Sequence, residues 1–205
     1  MTDPLTRDGF QTATGVSRET CDRLAAHEAL LRRWQRAINL VARDSLRDPW
    51  RRHYLDSAQL APLIPERAAR LVDIGSGAGF PGLILALVTG RTVDLVESDG
   101  RKCAFLREAA RVTEAPVRVH EGRIDAAAIT DAGLVTARAL APLDRLCALA
   151  APLLAPDGVC LFLKGRTVAE ELTAAKKRWK MRVERVPSRS DPAGVILRLG
   201  DLRPV

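Results

Sequence analysis

The sequence predicts an α/β protein built on a mostly parallel sheet, with a C-terminal antiparallel hairpin and a helical N-terminal appendage. Three observations predict it. From residue 70 onward short apolar runs alternate with segments of helical period, the pattern of parallel strands covered on both faces. A turn holding four glycines in eight residues, "GSGAGFPG", follows the first of these runs. Before residue 65, apolar residues recur at helical spacing. Residues 1–65 are therefore expected as the appendage and 66–205 as the α/β domain.

In chain order, the first twenty residues carry acids and no long apolar stretch, which reads as a loose lead-in and not a signal peptide. Ser17 caps a helix expected through "RETCDRLAAHEALLRRWQRAINLV", with Leu24, Leu30, Leu31, Trp34, Ile38 and Val41 at steps of three and four. "DPWRRHYLDSAQLAPLI" is a second helical piece, with Pro49 near its start. Then come a strand in "RLVDIG", a helix in "PGLILALVTG", a strand in "TVDLVES", a helix in "GRKCAFLREAARVTE" and a strand in "PVRVHEG". "GLVTARAL" is a fourth strand, followed by a helix in "APLDRLCALAAPLLAPDG" closed by Pro156 and Gly158. "VCLFLKG" is a fifth strand, "TVAEELTAAKKRWK" a helix, and "MRVERVPSRSDPAGVILRLG" two strands joined by a turn, an antiparallel edge or insertion.

Composition narrows the function classes. The 205 residues are 47% hydrophobic and 28% charged, ordinary for a soluble globular chain. No apolar run approaches the roughly 20 residues a membrane helix needs. The net charge of +7, with a pI near 9.8, points to a polyanionic partner or to solubility alone. Cys21, Cys103, Cys147 and Cys160 show no C-x-x-C spacing and read as reduced, buried thiols. The three histidines lie far apart, so no metal site is expected.

The glycine turn carries the chemistry. Ligands of a parallel sheet sit at the C-terminal ends of its strands. Gly75, Gly77 and Gly79 give the spacing G-x-G-x-G, with Phe80 where a dinucleotide fingerprint would have its third glycine. Pro81 suits the first turn of the following helix. A carboxylate at Asp73 would repel a pyrophosphate on this turn and favour an ammonium or sulfonium group. S-adenosylmethionine is such a ligand. Glu97, twenty residues on at the end of the second strand, is placed to accept from its ribose hydroxyls. A structural turn that binds nothing is the alternative.

"NLV" at 39–41, "RRHYLDS" at 51–57, "VDIGSGAGFPGL" at 72–83, "VESDGRKCAFLR" at 96–107, "GRID" at 122–125, "ARAL" at 137–140 and "LKG" at 163–165 occur in that order. Together they resemble the glucose-inhibited division protein B family, the bacterial small-subunit ribosomal RNA methyltransferase G enzymes. The resemblance implies a Rossmann-like S-adenosylmethionine-dependent methyltransferase fold. It also implies methyl transfer to N7 of a guanosine in 16S ribosomal RNA, free or within the small ribosomal subunit, by a cytoplasmic enzyme. By position, Gly75 and Phe80 would line the methionine end of the cofactor, and Ile124 and Asp125 would meet the adenine. Arg138 would contact the cofactor with a second role at the substrate, and Arg123 and Lys164 would face RNA. The family usually has glutamate where Asp125 stands and serine where Ala137 stands. The first change shortens a carboxylate's reach, and the second removes a hydroxyl beside Arg138.

N7 of guanine has a lone pair and no proton, so the reaction needs positioning and no general base. Arg123, Arg138 and Lys164 are accordingly assigned to phosphates and to the O6 edge of guanine. Each has a plainer reading: Arg138 paired with Glu121 or Asp144, Lys164 in an exposed loop, His53 and Asp56 in helix packing, Trp34 and Trp50 in the core. The basic C-terminal segment, "KKRWKMRVERVPSR", is either RNA-facing or a solvated face. Competing functions are methylation of a small molecule or protein, and a ribosome-associated nucleotide-binding protein without catalysis. A monomer is expected.

Overall fold

The computed structural model describes residues 3–205. Its centre is a seven-stranded sheet in the order β3-β2-β1-β4-β5-β7-β6. The strands are β1 (Leu71–Ile74), β2 (Val93–Glu97), β3 (Val117–Glu121), β4 (Ala132–Arg138), β5 (Leu154–Lys164), β6 (Trp179–Pro187) and β7 (Val195–Pro204). The first five are parallel. β7 runs antiparallel to both β5 and β6, which gives the expected C-terminal hairpin as an insertion at one edge.

β1 and β2 are buried along their whole length, as strands covered on both faces must be. The helices that cover them are α4 (Gly82–Thr89), α5 (Gly100–Thr113), α6 (Leu143–Ala150) and α7 (Val168–Ala175). In α4, "GLILALVT", the residues from Gly82 through Leu87 are all buried. A helix apolar on every side has to be enclosed on every side. The sheet lies on one flank, and the N-terminal helices close the other. α1 (Arg7–Thr14) and α2 (Arg18–Trp34) contribute Phe10, Leu24 and Leu31 to the same apolar core as Ile84, Leu95 and Phe105.

The lead-in is more ordered than its composition predicts. α1 is capped by Thr6 and buries Phe10 completely, its ring 5.2 Å from that of Trp50. Ser17 caps α2 as expected, but the helix stops at Trp34. There the Gln35 side chain accepts from the amides of Leu40 and Val41 and donates to the Val41 carbonyl, so it satisfies a turn that helical bonds would otherwise have filled. The second helical piece is a π-helical turn, Trp50–Leu55, running into α3 (Asp56–Ala58) and then a 3-10 turn at Ala61–Leu63. Trp50 packs in the core and Trp34 against Phe105.

Two boundaries move near the C-terminus. α6 ends at Ala150, before Pro152, whose missing amide suits the following 3-10 turn; "LAPDG" is already part of β5. Gly158 is required there, since a Cβ would stand 2.4 Å from the Ala132 carbonyl of the neighbouring strand. α7 ends at Ala175, and Trp179 and Lys180 open β6 instead of continuing the helix. The Trp179 indole donates to Asp144 at 3.0 Å, which fixes it against α6. All four cysteines are free and buried, as expected. Among the described residues no helix is long and apolar enough to cross a membrane, and no cluster of metal-ligating side chains occurs.

Candidate active site

The C-terminal ends of the parallel strands open onto one cavity of about 920 Å³. Its first half is the glycine turn and the end of β2. The turn is made by positive φ at Gly75, Gly77 and Gly79. It is pinned by bonds from the amides of Gly75 and Ser76 to the Val96 carbonyl. The Phe80–Pro81 peptide is cis, and Pro81 is the residue just before α4 and not within its first turn. Glu97 sits beneath the turn. Its Oε2 accepts from the Gly77 amide at 2.9 Å, and its Oε1 from the amides of Ser98 and Asp99. Gly75, Gly77, Phe80, Glu97, Ile124 and Asp125 all line the cavity.

Asp73 does not line it. The side chain is fully buried, with Oδ1 accepting from the Thr136 hydroxyl at 2.7 Å and Oδ2 without a partner among the described residues. Burial pushes this carboxyl up to about 6, against the pull of the Thr136 bond. The sequence expectation set the carboxylate facing the ligand. The structure sets it under α4, where a Cβ at Gly82 would come within 2.5 Å of the Asp73 Cβ.

The expected cations are less free than the sequence suggests. Arg123 forms a two-bond fork with Asp125, at 3.0 and 2.9 Å, and that fork holds the Asp125 carboxyl below its ordinary range. Both remain exposed. Lys164 is nearly buried. It reaches the Ala141 carbonyl at 3.1 Å and pairs with Glu171 at 2.5 Å, so it braces the cavity wall and does not extend as a free cation. Arg138 pairs neither with Glu121 nor with Asp144. Its Nη1 donates to the Arg52 carbonyl at 3.0 Å and meets Asp56 Oδ2 at 3.3 Å, while its guanidinium lies 4.9 Å from the centre of the Phe80 ring.

The second half of the cavity joins the two ends of the chain. Asp56 Oδ1 accepts from the Ser190 hydroxyl at 2.5 Å and from Gln59 at 3.2 Å. Arg52 pairs with Asp191, and the Gln59 carbonyl oxygen takes the Arg189 amide. The turn between β6 and β7 is thus tied to the π-helical segment across the cavity. His53 stacks on Phe80, ring centres 4.8 Å apart, and has no bond to Asp56. The Ser45 hydroxyl gives its proton to the Ala42 carbonyl, so its oxygen accepts from His53 Nε2–H and leaves Nδ1 as a buried lone pair. Burial, with the charges of Arg138 and Arg52, holds His53 down at about 3 and therefore neutral. Sequence reasoning missed Ser188, Ser190 and Asp191, because "SRSDPAG" carries only turn chemistry. It also missed Lys102 and Arg145, cavity-lining cations with no ion-pair partner among the described residues.

A ligand with an adenosine and a sulfonium fits this donor set. A Cβ added at Gly77 would meet nothing closer than the Gly75 carbonyl at 3.9 Å, so the turn leaves open space over its backbone. Glu97 lies under that space with one lone pair of Oε2 to spare for a hydroxyl.

Residues 20–192 match the family GidB, rRNA small subunit methyltransferase G. A ribosomal RNA small subunit methyltransferase G from Rhodospirillum centenum is 61% identical over 195 residues, which is 95% of this chain and 90% of that one. The protein of the same name from Paramagnetospirillum magneticum is 58% identical over 191 residues, 93% of each chain. Among solved structures, a SAM dependent methyltransferase from Aquifex aeolicus superposes with a TM-score of 0.59 at 14% identity, over 76% of this chain and 95% of that one. A TehB-like SAM-dependent methyltransferase from Corynebacterium glutamicum gives 0.56 at 16% identity, over 86% and 98%. These two likenesses are of fold.

Proposed function

The chain belongs to the GidB family, rRNA small subunit methyltransferase G, and from that premise we propose that its cavity serves methyl transfer from S-adenosylmethionine to N7 of a guanosine in 16S ribosomal RNA. The cofactor half would be held by the backbone of Gly75 and Gly77, with Glu97 taking a ribose hydroxyl. Ile124 and Asp125 would flank the adenine, and Phe80 the methionine end. When bound, the sulfonium supplies an electrophilic methyl group: the N7 lone pair forms the new N–C bond while the S–C bonding pair stays on sulfur. The protein then has no proton to remove. Neutral His53 adds no positive charge beside a purine that becomes cationic.

What the chain's own residues do is hold and exclude. His53 and Arg138 both pack on Phe80, so that ring is rigid. Holding N7 in line with the methyl group is worth up to roughly 7–11 kcal/mol of barrier. Arg138 touches the cofactor half and the substrate half together, and this is the single observation that carries the reading. Residues 40–56 and the turn of the C-terminal hairpin both line the cavity, and RNA would enter between them. The enzyme acts as a monomer in the cytoplasm, on the RNA or on the small subunit.

The test is nucleoside mass analysis of 16S RNA from a strain lacking the gene. One 7-methylguanosine disappears and returns on complementation. An unchanged 7-methylguanosine content refutes the assignment.

A further inference from the structure

The cavity holds acids that methyl transfer to N7 does not itself require. Of those in its substrate half, Asp191 lies at the rim, with Oδ1 on the Ala193 amide and Oδ2 on Arg52. Glu171 is consumed by Lys164, Thr167 and the Leu143 amide. Asp56 differs. Its side chain is only 17% exposed and lines the cavity beside Arg138. Oδ1 is fixed by Ser190 and Gln59, so the carboxylate is oriented by neutral donors. Oδ2 has one partner, the Arg138 Nη1 at 3.3 Å, longer than a well-formed charge-assisted bond of about 2.7–2.9 Å.

A donor and an acceptor therefore stand side by side on the substrate wall. Guanine presents the complementary pair: O6 accepts, and N1–H and the N2 amino group beside it donate. Adenine presents a donor at position 6 and a lone pair at N1, which would set like against like at both places. Building on the guanine-N7 reading above, we infer that Asp56 Oδ2 accepts from N1–H and N2–H of the target guanine while Arg138 donates to O6, so that this pair selects guanine.

The pairing also helps the chemistry. As N7 takes the methyl group, the purine becomes cationic and its N1–H a stronger donor. A carboxylate fixed at that edge is bound more tightly in the transition state than in the ground state, which is the condition for an interaction to raise the rate. Arg138 alone would oppose the developing charge; Asp56 beside it balances that opposition.

The wild-type enzyme and Asp56→Asn are compared on small-subunit RNA carrying guanosine or inosine at the methylated position. Mapping the wild-type product fixes that position first. Inosine keeps N7, O6 and N1–H and lacks only the N2 amino group. The wild type is expected to favour guanosine in kcat/KM by about tenfold or more, the effect of one lost bond to a charged group. In Asp56→Asn, activity on guanosine falls and the guanosine-to-inosine ratio collapses toward one. A merely structural role for Asp56 would lower both substrates equally and leave the ratio as in the wild type, which overturns the inference. Melting temperature and calorimetric binding of S-adenosylmethionine show whether the variant is folded. Should it not fold, the wild-type arm decides: equal turnover of inosine and guanosine overturns the inference as well. Absence of wild-type methylation on the guanosine RNA would remove the function itself, a different failure from loss of discrimination.

Discussion

His27 on α2 donates from Nε2 to the carbonyl of Ala78, 3.1 Å away in the glycine turn. A carbonyl only accepts, so Nδ1 is the unprotonated nitrogen and takes the Tyr54 hydroxyl proton at 2.8 Å. The N-terminal segment thereby holds the turn from behind. His27 is fully buried, and burial lowers its pKa from 6.5 to about 4.

The sign of the pH effect follows. A histidine whose pKa is lowered by folding contributes stability above 6.5 that is lost as pH falls toward 4. His27→Phe leaves the Ala78 carbonyl and the Tyr54 hydroxyl unpaired and should cost about 2–3 kcal/mol at pH 7.5. Because the variant lacks the titrating group, the gap to wild type should narrow by about 2 kcal/mol at pH 5. Urea unfolding at the two pH values measures this; a gap that does not change with pH contradicts it.

Asp73 acts in the opposite direction. Its folded pKa, about 6, lies above the ordinary 3.8, so the folded state binds the proton more tightly and stability falls as pH rises from about 4 through 6. Asp73→Asn removes that dependence. Relative to wild type it should gain about 2 kcal/mol between pH 4.5 and 7.5. Parallel melting curves for the two proteins would expose a mistake here.

Gly77 in the turn and Gly82 at the start of α4 should fail differently when changed to alanine. At Gly82 the new methyl group meets Asp73 Cβ and Leu95 Cδ2, both at 2.5 Å, inside the packed core. Gly82→Ala should unfold or strongly destabilise the protein. At Gly77 the φ of +54° imposes a penalty of roughly 1–2 kcal/mol, but the methyl group points into open space. Gly77→Ala should stay folded and lose S-adenosylmethionine affinity by tenfold or more, taking about 1.4 kcal/mol per factor of ten. Thermal melts and calorimetric titration separate the two effects.

The cations should divide by their partners. Arg145→Ala and Lys102→Ala remove unpaired charges from the cavity wall and should each lower the slope of log RNA affinity against log salt by about 0.7–0.9. Lys164→Ala leaves Glu171 without its counter-charge in a nearly buried site, so it should lower the melting temperature as well as activity. Equal salt slopes for all three variants would contradict this division.

The sheet, the hairpin and the glycine turn were legible in the sequence because their signals are local. Strand period and glycine spacing are written in adjacent residues, and Glu97, twenty residues from the Gly77 amide it accepts from, is marked by its place at the end of the next strand. α1 was not legible: Phe10 is held by Trp50, forty residues away, and no local pattern records that. The boundaries of α2 and α7 were lost to side-chain bonds, those of Gln35 and that of Trp179. Arg138 was legible as a site residue, but its partner was not, since Asp56 lies 82 residues back in the chain. Asp73 misled because an acid at the end of a strand reads as facing the ligand, whereas the pleat turns this one toward α4 and Thr136.

The bond from Ser190 to Asp56 and the pair between Arg52 and Asp191 complete the pocket only when the β6–β7 turn is in place. As the polypeptide is being translated, its cofactor half emerges long before that turn does. A nascent chain can therefore form the glycine turn and its bond to Glu97 early, while the far wall of the cavity waits for the last hairpin.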